Sequence, residues 1–141
     1  PLRRDAQNRL LAAKFHFEAV RETMNDRANQ RQLLNRELVL LRNAYFGLGD
    51  VCYRLGRFTE ALEAYHAVLN RFQSRPEVLE AYAQIVRCYQ AMGREEESRI
   101  ALEQAKIVLQ RLPRDTDFAA ATVLDNAGWI ARFQRLEKTL Q

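Results

Sequence analysis

The chain has 141 residues, 48% of them hydrophobic and 28% charged, with a formal net charge of +4. That is the composition of one globular domain able to bury its own core, and it excludes a disordered or fibrous chain. No stretch of about 18 consecutive apolar residues is present, which excludes a transmembrane helix.

The positive excess lies in the first 75 residues, where arginines are scattered rather than striped. A solvated basic surface therefore accounts for the charge better than a nucleic-acid interface does. Cys52 and Cys88 lack CxxC spacing and fall inside helical patterns, so both are expected as buried free thiols. The sequence begins at Pro1 without an initiator Met or a signal-type apolar region, and is expected to be a piece of a longer protein.

Arg4 to Met24 reads as one helix. Leu10, Ala13, Phe17, Val20 and Met24 alternate steps of three and four, a heptad-like seam. Asn25-Asp26 breaks the pattern and is expected to cap the next helix. Leu34, Leu38, Leu41, Tyr45, Leu48, Cys52 and Leu55 then continue in the same steps and predict one long helix from Arg27 to Leu55. The first seam has two possible partners. It can fold back on the long helix as an antiparallel hairpin, or it can dock a second copy or another protein.

From Arg42 to Pro113 the chain repeats itself. Tyr45 falls on Tyr82, Leu48 on Ile85, Gly56 on Gly93, Phe72 on Leu109 and Pro76 on Pro113, each pair 37 residues apart. A fixed period in this range marks a stacked helical repeat. Gly56 and Gly93 are expected to end the first helix of each unit in the left-handed conformation. Thr59 is the expected N-cap of the next helix in the first unit. In the second, Glu95, Glu96 and Glu97 place negative charge at the positive end of the dipole. Ser74 and Glu77 have capping-box spacing, with Pro76 in the first turn.

These residues resemble the tetratricopeptide repeat. Tyr45, Leu48-Gly49, Gly56, Phe58, Ala61, Tyr65 and Pro76 follow the family pattern, with Cys52 for the usual aromatic and Val68 for the usual Ala. The second unit keeps Tyr82, Tyr89, Gly93, Ala105 and Pro113 but has Val86 for Gly and Ser98 for Ala. The usual period is about 34; the three extra residues are placed near Arg71–Arg75. Longer units of this kind resemble those of some bacterial cell-envelope repeat proteins.

After Pro113, Thr116 or Asp115 is expected to cap a short helix over 117–123, followed by a break near Asp125–Gly128. Trp129, Phe133, Leu136 and Leu140 step by four, three and four and predict a final amphipathic helix that covers the open end of the array. The expected fold is therefore all-α. It is an α-α superhelix of TPR-like hairpin repeats with a long N-terminal helical hairpin and a C-terminal capping helix. As one domain it divides into a helical extension (1–41), repeat one (42–76), repeat two (77–113) and a cap (114–141).

No catalytic constellation is legible. His16 and His66 stand alone, without HExxH or paired metal ligands, and Gly47 and Gly49 lie in a helical pattern rather than a phosphate loop. No cofactor, metal or enzymatic activity is expected. The resemblance instead implies a groove lined by the first helices, at Asn43, Phe46, Asp50, Tyr53 and Arg54 of unit one and Glu80, Ala83, Gln84, Arg87 and Ala91 of unit two. Phe46, Asp50, Tyr53, Arg54, Gln84 and Arg87 are the candidate partner-binding residues; alternatively, Phe46 and Tyr53 are covered by flanking helices. The family's clamp for a C-terminal carboxylate needs Lys and Asn, where Phe46, Asp50 and Gln84 stand here. That ligand class is disfavoured.

The function these residues imply is a non-catalytic protein–protein interaction or scaffold module. It would take a peptide, a partner helix or a second copy through the N-terminal helices, without nucleic acid and without membrane insertion. A helical-repeat RNA binder and a regulatory segment of a larger enzyme are the alternatives. The compartment stays open between the cytoplasm and a bacterial cell envelope (periplasm).

Overall fold

The computed structural model describes residues 3–119 and 122–140. Among them are six α-helices: α1 (Arg4–Gln30), α2 (Asn35–Arg54), α3 (Phe58–Arg71), α4 (Glu77–Ala91), α5 (Glu95–Arg111) and α6 (Asn126–Thr139). The fold is all-α, as the periodicity predicts. By internal contacts the chain divides into two compact units, 1–64 and 65–141, with the division inside α3.

In the first unit, α1 folds back on α2 and the N-terminal seam is used within the chain. Met24 is buried, as are Leu41, Ala44, Leu48 and Cys52 of α2. Asn25 does not cap a helix. Its side-chain amide lies 3.3 Å from the Tyr45 hydroxyl on α2, and α1 runs on to Gln30. The expected helix from Arg27 to Leu55 is accordingly broken, at residues 31–34.

The cause of that break is a charge cluster. Glu37 accepts from the Leu34 N–H at 2.9 Å, one half of a capping box. Arg31 grips both oxygens of the same carboxylate at 2.8 and 3.0 Å, and Arg27 adds a third bond at 3.0 Å. The Arg31 guanidinium, the Leu34 N–H and Arg27 together lower the Glu37 carboxyl to about 2. Paired guanidinium donors satisfy a side chain that is only 4% exposed.

The expected glycine stops are present and alike. Gly56 has φ +74° and Gly93 φ +72°. Arg57 N–H donates to Cys52 O at 2.8 Å and Gly56 N–H to Tyr53 O at 3.0 Å; Arg94 to Tyr89 (2.9 Å) and Gly93 to Gln90 (3.0 Å) repeat the pattern. These are two Schellman turns one repeat apart. Thr59 is not the cap after the first. Ala61 N–H already donates to Arg57 O at 3.0 Å, so the helix begins at Phe58.

In the second unit, Ser74 does not cap α4 either. It takes φ +62° in the turn, and Pro76 occupies the cap position without a side-chain bond. Glu77 is buried beside Arg75, whose guanidinium lies 5.6 Å from the Phe72 ring centroid. Glu95, Glu96 and Glu97 do open α5. A hydrogen bond from its own backbone N–H, then Arg94, hold the Glu97 carboxyl below its ordinary value.

The segment after Pro113 departs from expectation. Residues 117–119, 122 and 123 are not helical, and 120 and 121 lie outside the described residues. The Thr116 hydroxyl donates to Pro113 O at 2.5 Å, closing a turn instead of capping a helix. The Thr122 hydroxyl donates to Leu124 O at 2.7 Å and accepts from Trp129 Nε1 at 3.2 Å, which ties this segment to α6. Asp125 caps α6 through Gly128 N–H at 2.8 Å. Trp129 and Phe133 of α6 and Leu140 just after it are buried at the spacing the sequence predicts, while Leu136 is half-buried.

Candidate partner-binding faces

Helix α2 divides cleanly into two sides. Leu41, Ala44, Tyr45, Leu48, Val51 and Cys52 are buried. At 100° per residue, Asn43, Phe46, Asp50, Tyr53 and Arg54 gather on the other side. There Asp50 and Arg54 are exposed, while Phe46 and Tyr53 are half-buried. Tyr53 meets Phe58, the first residue of α3, edge to face with ring centroids 5.3 Å apart. That contact holds the tyrosine ring in place at the end of the helix while leaving part of it in solvent.

Behind this face lies Cys52. Its thiol is fully buried with Sγ 3.8 Å from a Glu60 carboxylate oxygen, and burial followed by the Glu60 charge pushes it up to about 11. Lys14 of α1 lies 2.9 Å from Glu18 and 3.3 Å from Glu60, joining α1 to the start of α3. The Glu18 contact is the chief cause that raises the Lys14 ammonium.

On α4, in the second unit, the corresponding residues form a polar chain. Arg87 donates to Gln84 Oε1 at 2.8 Å, and Gln84 Nε2 donates to Glu80 Oε1 at 3.0 Å. The second Glu80 oxygen is bonded by Arg132 of α6, whose guanidinium lies 5.1 Å from the Trp129 ring centroid. Gln90 Nε2 donates to Thr139 Oγ1 at 2.7 Å further along α6. Arg87 remains exposed and Gln84 is buried. The final helix thus ties itself to this side of α4. Arg132 is the residue of this chain of contacts that the sequence pattern does not single out. Nothing local marks it, because its partner is 52 residues away.

Among the described residues no group of three or more His, Cys, Asp or Glu is placed to hold a metal, and no helix is long and apolar enough to cross a membrane. Paired helices joined by matching glycine turns define a helical-hairpin repeat protein. Residues 40–105 match the family model of the tetratricopeptide repeat, and this repeat segment belongs to that family. No curated protein and no solved structure was found to match the chain. Repeats of this family in general mediate protein–protein interaction and are not catalytic.

Proposed function

We propose that the chain is a non-catalytic interaction module that receives a peptide or a partner helix on the α2 face of Phe46, Asp50, Tyr53 and Arg54. The observation that carries this reading is the half-exposed Tyr53 ring held edge-on by Phe58, with exposed Asp50 and Arg54 beside it. An aromatic side chain already fixed in position loses little entropy on binding, and aromatics and arginine supply most interface energy. Asp50 and Arg54 give the face both signs of charge, which suits a partner of mixed charge better than a polyanion. Arg87, oriented by the buried Gln84, offers a separate polar contact on α4. The organisation that accompanies this reading is a helical extension, two repeats and a cap in one domain.

The test is partner capture with Phe46→Ala/Tyr53→Ala. Capture should be lost while helix content by circular dichroism is retained. Capture undiminished in the double variant would remove the α2 face from the account.

A further inference from the structure

Helix α1 uses one side against α2, but its opposite side is not simply polar. Phe15 is 76% exposed there and Leu11 37%. At 100° per residue, Arg4, Leu11, Phe15 and Glu22 share a stripe about 40° wide, roughly opposite the Leu10–Met24 seam. Arg4 and Glu22 are both exposed and, among the described residues, neither has an ion-pair partner.

The order along this stripe is cation, two apolar residues, anion. It is also symmetric. Position 13 is midway between Arg4 and Glu22, and midway between Leu11 and Phe15. A two-fold axis at that point sets Arg4 against Glu22 of a second copy and Leu11 against Phe15 of a second copy, twice each. The same operation sets exposed Asn8 against Glu18. A surface complementary to itself under a two-fold axis is what an isologous dimer requires.

We propose that the outward face of α1 is a self-association surface on which a second copy of this chain docks with its α1 antiparallel. A parallel arrangement is disfavoured, because it would oppose Arg4 to Arg4 and Glu22 to Glu22. The contact spans about 27 Å of helix. With two apolar residues from each copy it falls at the small, weak end of protein interfaces, with micromolar or weaker affinity. It uses other residues than the α2 face, so either reading can fail without the other.

Sedimentation equilibrium of the whole chain over a wide concentration range provides the test. The unaltered chain should show a monomer–dimer equilibrium that weakens with salt. Arg4→Glu and Glu22→Arg should each weaken association about tenfold, since each turns two attractions into repulsions. Mixed in equal amounts, the two variants should associate again, because every opposed pair regains unlike charges. Phe15→Ser should abolish association, and circular dichroism should show unchanged helix content in all variants. A chain that stays monomeric up to millimolar concentration overturns the proposal. So does a mixture of the two charge variants that associates no better than either alone.

Discussion

The ring of Phe17 on α1 occupies the space where a side chain at Gly47 on α2 would begin. A Cβ built at Gly47 would stand 2.4 Å from Phe17 Cζ, inside any permitted contact. The hairpin of α1 and α2 therefore closes by ring against bare backbone.

This gives a prediction with a change of sign. Gly47→Ala alone should destabilise the chain by about 1 kcal/mol, the overpacking penalty of about 1–3 kcal/mol less the helix preference of Ala over Gly of about 1 kcal/mol. In a Phe17→Ala background only the preference remains, and Gly47→Ala should stabilise by about 1 kcal/mol. A double-mutant cycle from urea unfolding measures both. Equal effects in the two backgrounds would mean that Phe17 does not pack on Gly47.

At Gly56 and Gly93 no atom lies within 4 Å of an added Cβ, so only the positive φ opposes a side chain. Ala at either position should lower stability by about 1–2 kcal/mol. The two losses should be nearly equal because the turns are alike. Asn should be milder than Ala at both, since it tolerates the left-handed region better. Thermal unfolding of the four single variants checks the ranking.

Glu37 sets an acid limit. Its folded value of about 2 lies below the ordinary 4.5, so between these values the unfolded chain binds the extra proton. The stabilisation from this group is complete above pH 4.5 and is lost as pH falls through 2. Glu37→Gln should be less stable at neutral pH and show a shallower decline across that window. An identical pH slope in the variant would show that Arg31 and Arg27 do not hold the carboxylate.

Trp129 is the chain's only tryptophan, and it is 1% exposed. Trp129→Ala should cost about 3–5 kcal/mol. Thr122→Val removes the acceptor of the indole N–H and should cost about 1–3 kcal/mol. Selectively excited tryptophan fluorescence, which here reports on α6 alone, should shift to the red in Thr122→Val as water reaches the ring.

The buried Cys52 thiol should resist a disulfide reagent at pH 8 in the folded chain. Its raised value keeps it neutral there, and the residue is fully buried. Labelling of Cys52, followed by peptide mass, should track unfolding in urea. Fast labelling without denaturant would contradict the packing of α1, α2 and α3 around it.

Local signals carried far along this chain. The steps of three and four placed α6 and the body of α2, though not its start, the 37-residue repeat placed α3 to α5, and Gly56 and Gly93 placed two helix ends, because helix periodicity and left-handed turns are decided within a few residues. The repeat, and with it the all-α class, follows from those same short-range patterns recurring at one spacing. Tertiary structure decided the rest. Leu34 looked like one more helical position until Glu37, gripped by Arg27 and Arg31, fixed the corner between α1 and α2. Thr116 had the look of a helix start until its hydroxyl was taken by Pro113 O, and Thr122 sat inside the expected helix until its hydroxyl was shared between Leu124 and Trp129. The polar chain from Arg87 to Arg132 joins helices far apart in sequence. In each case a polar group had several partners within reach of its composition, and only the packed chain selected one of them.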